Sequence, residues 1–348
     1  MTIRLALRYD MRAPSLGAPA SALYPAAVEQ CAYADAAGFD TVYLAEHHGA
    51  DDGYCASPIV LGAAIAGRTS RMTIHLSALL AVLHHPLRLA EDLATLDLVS
   101  AGRLEVTLGI GYRVHEYAMF GVEKRRRVPI LEETIGVLER AWTGQPFDFR
   151  GTTVTVRPVP VQHPRPRLYI GGSAEPSALR AARFGDNFLP ATPNLYPLYV
   201  AERERLGLPV PLPPRPKGPL FLFVTDDPER DWPVVAPHVI YTSNSNAEWA
   251  KERGVGATPY PPLTGVDDLR ASPQFQVLTP EQCVADIEAR DPDVEIGIQP
   301  IMGGLDPALG SASLERFITK VLPALERSGR WRRTGAAQPL TRPAPAPL

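Results

Sequence analysis

The chain has 348 residues, of which 45% are hydrophobic and 21% charged, with a formal net charge of −3. This is the balance of a globular protein long enough for one large or two ordinary domains. Acids and bases are mixed along the chain, which argues against a nucleic-acid or polyanion surface. No apolar stretch reaches transmembrane length, and the N-terminus lacks the basic segment and apolar core of a signal peptide, so no membrane role is expected. The three cysteines, Cys31, Cys55 and Cys283, are widely spaced, which points to a reducing cytoplasm and no disulfide framework.

In chain order, Ile3 to Arg8 is a short apolar run, and Ala22 to Ala37 carries helical spacing that stops at Gly38. Thr41 to Ala45 reads as a strand. Pro58 to Gly67 reads as a helix opened by Ser57. Met72 to Leu80 and Arg103 to Gly109 are strands separated by a helix over Leu87 to Val99, and Ile130 to Trp142 is a further helix. Phe147 to Val156 alternates with a two-residue period, as a small inserted hairpin would. Leu168 to Ile170 is a strand, and Ser177 to Phe184 a helix stopped by Gly185. Leu220 to Thr225 and Val294 to Pro300 are strands, and a helix over Ser313 to Leu325 follows.

With a strand at Phe188, eight strand starts alternate with helices. This predicts an α/β fold, a (β/α)8 TIM barrel, as a single domain over 1–330. Asp226 to Thr279 has weak periodicity and many Pro, Asn and Gly. It reads as a long irregular insertion before the last β/α unit, a lid carrying Trp232, Tyr241, Trp249 and Tyr260. Prolines cluster in Pro209 to Pro219 and again in the tail 331–348, which reads as disordered.

Chemistry in such folds collects at the carboxyl ends of strands. Four clusters fall there: Glu46-His47-His48; Ser77-Ala78 followed by His84-His85; Gly109-Ile110-Gly111 with Arg113; and Gly171-Gly172-Ser173-Ala174 opening the helix that holds Ser177. The last has the clearest physics, because glycines let backbone amides approach an anion and a helix N-terminus offers free N–H groups. A tight strand–helix turn explains the same glycines. Gly109-Ile110-Gly111 lacks the third glycine of a dinucleotide fingerprint, since Val114 stands there, so a nicotinamide site fits poorly. Metal binding is disfavoured because adjacent imidazoles leave a strand on opposite faces.

Gly38 to His48 resembles the second-strand region of the bacterial luciferase-like flavin monooxygenases. The resemblance continues through Ala66-Gly67-Arg68-Thr69, His85 to Asp92, Leu96 to Leu104, Phe120-Gly121, Gly171-Gly172-Ser173, Thr279 to Cys283 and Val321 to Leu325. It covers most of the chain to Pro190 and the last barrel unit, but not Asn194 to Val277.

The resemblance implies a barrel that carries FMN at its carboxyl face, reduced by a separate flavin reductase, or alternatively a deazaflavin. It places His47 as proton donor or acceptor beside the flavin and a small organic substrate, with Glu46 fixing the ring or the histidine. It places Ser77-Ala78, as a non-proline cis peptide, under the ring. Gly171, Gly172, Ser173, Ala174 and Ser177 would hold the phosphate, and Gly109, Ile110 and Gly111 would lie near both. Where luciferase has a reactive cysteine this chain has Leu108 or Gly109, and Ile110 stands for a phosphate-binding arginine, which leaves Arg113 to assist. A homodimer packed through Pro58 to Gly67 and Leu87 to Val99 is implied. A non-catalytic flavin-binding subunit is the reading from another class, and His47 argues against it.

Overall fold

The computed structural model describes residues 2–253 and 260–333. The expected disordered tail therefore lies outside the described residues except for 331–333. The first half runs β1 (Arg4–Tyr9), α1 (Ala20–Ala37), β2 (Thr41–Leu44), α2 (Pro58–Arg68), β3 (Thr73–Leu79), α3 (Pro86–Val99) and β4 (Leu104–Leu108). Then come α4 (Val114–Met119), α5 (Arg127–Ala141), the hairpin β5 (Phe147–Phe149) and β6 (Thr152–Val154), β7 (Arg167–Gly172), α6 (Glu175–Phe184), β8 (Asn187–Pro190) and α7 (Tyr196–Arg205). The remainder is β9 (Phe221–Val224), α8 (Pro228–Arg253), α9 (Val266–Ala271), β10 (Phe275–Leu278), α10 (Pro280–Ala289), β11 (Glu295–Ile298), α11 (Pro307–Arg316) and α12 (Leu322–Arg327).

Seven strands form one parallel sheet in the order β11-β1-β2-β3-β4-β7-β8, curled with helices outside it. Each of the eight expected strand starts lies within one residue of the start of a strand of the structure. Closure differs from the simple barrel expected, because β9 pairs in parallel with the additional strand β10 rather than with β8. The seam between β8 and β11 is bridged by the proline stretch before β9. Gly218 N donates to Glu295 O at 2.8 Å and Glu295 N to Pro216 O at 2.9 Å. On the other side Asn187 Nδ2 reaches Leu212 O, Tyr196 the Pro211 carbonyl and Arg203 the Pro209 carbonyl.

The two-residue strand period sorts the side chains. Leu5, Leu7, Val42, Leu44, Ile74, Leu76, Val106, Leu108, Leu168, Ile170, Ile296 and Ile298 are buried in the main apolar cluster with the helices. The alternate residues are polar and meet one another. Tyr43, His75 and Tyr169 stack at centroid distances of 5.1 and 5.0 Å, and they line a cavity of about 280 Å³ with Glu105, Arg167, Lys217 and Glu295. Burial holds the His75 imidazole down at about 3, so it is neutral.

Residues 226–279 are not irregular over most of their length. Pro228–Arg253 is a 26-residue helix with Pro233 and Pro237 inside it. Those prolines, each removing a backbone donor, hide the helical pattern in sequence. Burial holds the helix in place: Trp232, Val235, Ala236 and Val239 form a second core with Phe221, Phe223, Leu263, Leu269, Phe275 and Val277. His238 Nδ1 meets Gly303 O at 2.8 Å, which docks α8 on the loop after β11. No helix among the described residues is long and apolar enough to cross a membrane.

Candidate active site

The carboxyl ends of β1 to β4 and the C-terminal half of α8 converge. The short β2 ends at Leu44, so the next residues leave the sheet while keeping an alternating direction. Glu46 and His48 turn one way and His47 the other.

His47 Nδ1 lies 2.8 Å from Glu116 Oε1, in the first turn of α4. The same carboxylate oxygen accepts the His48 amide at 2.9 Å. Tyr54, Tyr112 and Trp249 stand edge-on to the His47 ring at 4.9, 5.4 and 5.0 Å between centroids. A carboxylate on Nδ1 fixes the tautomer with hydrogen there and leaves Nε2 to exchange a proton. Burial pushes the Glu116 carboxyl up, but the His47 ring and the His48 amide outweigh it and hold it below its ordinary range.

Glu46 is 1% exposed and binds not His47 but the other two imidazoles. Its Oε1 meets His48 Nε2 at 2.9 Å and His84 Nε2 at 2.8 Å, and its Oε2 accepts the Leu80 amide. Burial raises its pKa, yet these partners bring it down to about 2. Glu46 thus holds His48 and His84 rather than His47, the histidine that faces the aromatic cluster. His48 packs edge-on to Phe120 at 4.6 Å.

The Ser77–Ala78 peptide is cis. The Ala78 carbonyl accepts from Glu46 N at 3.2 Å, and Gly109 N donates to Leu79 O at 2.8 Å, which draws the ends of β2, β3 and β4 together. A Cβ on Gly109 would come 3.2 Å from that of Ala78, so a bare wall stands there. Ile110 offers its carbonyl to the Tyr117 hydroxyl, and Gly111 has φ +68°.

On the far side, Gly171 and Gly172 end β7 and lead into α6. A Cβ on Gly172 would fall 2.1 Å from Ser177 Oγ, so only glycine fits beside that hydroxyl. Ser177 Oγ accepts the Ala174 amide at 3.2 Å and donates back to the Ala174 carbonyl. Ser177 thus caps α6 from inside the helix and takes up the Ala174 amide.

Arg113 does not sit with that turn. Its guanidinium carbon lies 3.8 Å from the Trp249 ring centroid, and its Nε 3.7 Å from Glu252 Oε1. Arg12, after β1, stacks on Trp249 at 4.1 Å and on Tyr54 at 4.8 Å and is paired with Asp52, which also accepts from Tyr241. Sequence reasoning missed Glu116 and Arg12. Neither belongs to a motif, and their only signal is a charge a few residues past a strand end. Among the described residues no group of His, Cys, Asp or Glu is arranged to hold a metal.

Comparison with known proteins accords with this geometry. The sequence profile of the luciferase-like monooxygenases matches residues 11–289. The oxygenase component of a flavin-dependent trigonelline monooxygenase from Acinetobacter baylyi is 25% identical over 338 residues, covering 88% of this chain and 91% of that one. Other curated relatives match over about half their length, as with two Sinorhizobium fredii proteins matched over 47% and 46% of theirs. Two solved structures share the fold. The oxygenating constituent of Pseudomonas putida 3,6-diketocamphane monooxygenase, with FMN, has a TM-score of 0.69 at 19% identity and covers 93% of this chain and 99% of its own. An F420-dependent secondary alcohol dehydrogenase has 0.63 at 19%, with the same coverage. The chain belongs to the luciferase-like family of flavin-dependent monooxygenases and oxidoreductases.

Proposed function

We propose that this protein is a monooxygenase that uses reduced FMN, delivered by a separate flavin reductase, and O2 to oxidise a small organic substrate, with His47 as the acid–base group. The observation that carries this is the His47–Glu116 pair within an aromatic cluster at the carboxyl end of the sheet. The residues present fit a flavin: the bare wall at Gly109 beside Ala78 suits a flat ring, and the Gly172–Ser177 turn suits a phosphate. A bound reduced flavin would supply the two electrons and the centre at which oxygen reacts. Around it, the amides of Gly172 and Ser173 bind the phosphate, and Ser177 orients that turn through the Ala174 amide. Glu116 orients His47, and His47 Nε2 moves the proton. Tyr54, Tyr112 and Trp249 exclude water, which strengthens each of these interactions. The name of the Acinetobacter relative, an oxygenase component, supports a reductase encoded apart.

Fluorescence titration with FMN and with the deazaflavin F420 tests the cofactor, and tight F420 binding without FMN binding would move the reading to hydride transfer. Within the FMN reading, Ser173→Pro removes one charge-assisted donor and is expected to weaken FMN by about 10-fold or more. Unchanged affinity would place the phosphate elsewhere.

A homodimer through α2 and α3 is part of the proposal. Val60, at 70% exposure, and Leu98 and Val99 lie on those helices as uncovered apolar groups. Light scattering is expected to give twice the chain mass for the protein and a monomer for Val60→Asp. A monomeric wild type at micromolar concentration would remove the dimer.

A further inference from the structure

Two buried guanidiniums face the aromatic cluster around His47 with unused donors. Arg12 is 1% exposed and Arg113 9%. Nε and Nη2 of Arg12 and Nε and Nη1 of Arg113 are buried without a hydrogen-bond partner. Orphaned buried donors cost about 1–3 kcal/mol each, and guanidinium donors more, so their retention asks for an occupant that uses them.

The structure indicates what that occupant is. Both guanidinium carbons lie about 4 Å from the Trp249 centroid, at 4.1 and 3.8 Å, which puts one cation on each face of the indole. Three residues on, the same helix brings the Glu252 carboxylate to 3.7 Å from Arg113 Nε, too long for a hydrogen bond. The α8 helix therefore presents a flat aromatic ring clamped between two arginines and a carboxylate beside one of them, next to His47. Glu252 also accepts the Val114 amide at 3.3 Å, and Trp249 is held by ring contacts to His47 and Tyr54 as well as by the two arginines. The Glu252 side chain is 36% exposed, and its ion pair is of the weak surface kind. Asp52 and Asp10 neutralise Arg12 at 1% and 13% side-chain exposure of the Arg12–Asp10 pair, so Arg113 is the cation left to a ligand.

We propose that Trp249 and Glu252 stand in for the substrate, and that the substrate is a planar aromatic carboxylate that displaces them from the Arg12–Arg113 clamp. Arg12, which stays stacked, selects a flat π-face. Arg113 selects the carboxylate, for which its planar fork is suited. The stand-in keeps two cations covered until α8 gives way, which lowers apparent affinity by the share of molecules still closed. This rests on the flavin reading only for the role of His47; the clamp itself is tested without turnover.

Isothermal titration with sodium benzoate, benzamide and cyclohexanecarboxylate reads charge and flatness separately. Benzoate is expected to bind at least about 10-fold more tightly than either analogue. Arg113→Gln should abolish that preference. Glu252→Gln should instead tighten benzoate severalfold, because it removes the internal competitor. FMN titration of the same variants keeps the two readings apart: FMN affinity should stay at the wild-type value in both. Equal binding of benzoate and benzamide, no binding of benzoate, or weakening by Glu252→Gln would overturn the proposal. So would an Arg113→Gln variant that loses FMN affinity while keeping the benzoate preference, which would return Arg113 to the phosphate.

Discussion

Replacing His47 by Ala is expected to lower turnover by about two to four orders of magnitude, the usual contribution of a positioned acid–base group, with FMN affinity largely kept. Replacing His48 by Ala is expected to cost stability instead. The two residues are neighbours and share Glu116 through His47 Nδ1 and the His48 amide, but their rings have different partners. His47 has a carboxylate on Nδ1, its other ring nitrogen free of it, and three aromatic rings around it. His48 spends Nε2 on Glu46 and its ring on Phe120. Glu116→Gln should resemble a weaker His47→Ala, because an amide can still accept from Nδ1 but cannot stabilise a charged imidazole. Until the substrate is identified, the rate of flavin reoxidation after mixing reduced complex with oxygen serves as readout, with urea melts beside it. Equal rates for the His47 and His48 variants would refute the division of roles.

The second large effect concerns Glu46 and pH. Its carboxyl is held at about 2, against an ordinary 4.5, despite burial that alone would raise it. At about 1.4 kcal/mol per unit this corresponds to roughly 3 kcal/mol of stabilisation. A depressed carboxyl stabilises fully above its unfolded value and loses that contribution as pH falls through the folded one, here from about 4.5 to about 2. His84 works in the opposite sense. Burial lowers it, its hydrogen bond to Glu46 and that carboxylate's charge outweigh the burial, and the net shift is upward from 6.5. Its contribution is therefore complete below 6.5 and fades as pH rises through the raised value. The stability difference between wild type and Glu46→Gln should be largest between about pH 4.5 and 6.5 and should close toward pH 2. Urea midpoints at pH 2.5, 5.5 and 8 measure it, and a difference independent of pH would mean that Glu46 acts by packing alone.

The repeating units were legible in sequence because the strands are short apolar runs and helices between them stop at a glycine, as at Gly38 and Gly185. The histidine pair and the Gly171–Ser177 turn were legible because they sit where those strands end. Glu116 was not, since what makes it a partner of His47 is the fold's placing of β4 one strand away from β2, across β3, a relation with no local trace 69 residues away. The α8 helix was hidden by Pro233 and Pro237, whose cost tertiary burial of Trp232 and Val239 offsets. The strand β10 was hidden in the same insertion, as four residues whose partner β9 lies far back in the chain.

The proline stretch at the seam has a consequence for how the molecule behaves in a crowded solution. An open sheet offers a row of unpaired backbone groups at each end, and a second chain can add its own strand there. Beside β8 lies Pro209 to Pro219, tied on by side chains and able to donate few backbone hydrogens of its own. A segment whose composition suggests a loose linker thus works as a non-templating hem. It covers the sheet's free edge yet cannot itself recruit a neighbour, which protects a fold with an unclosed strand ladder from joining edge to edge into aggregates.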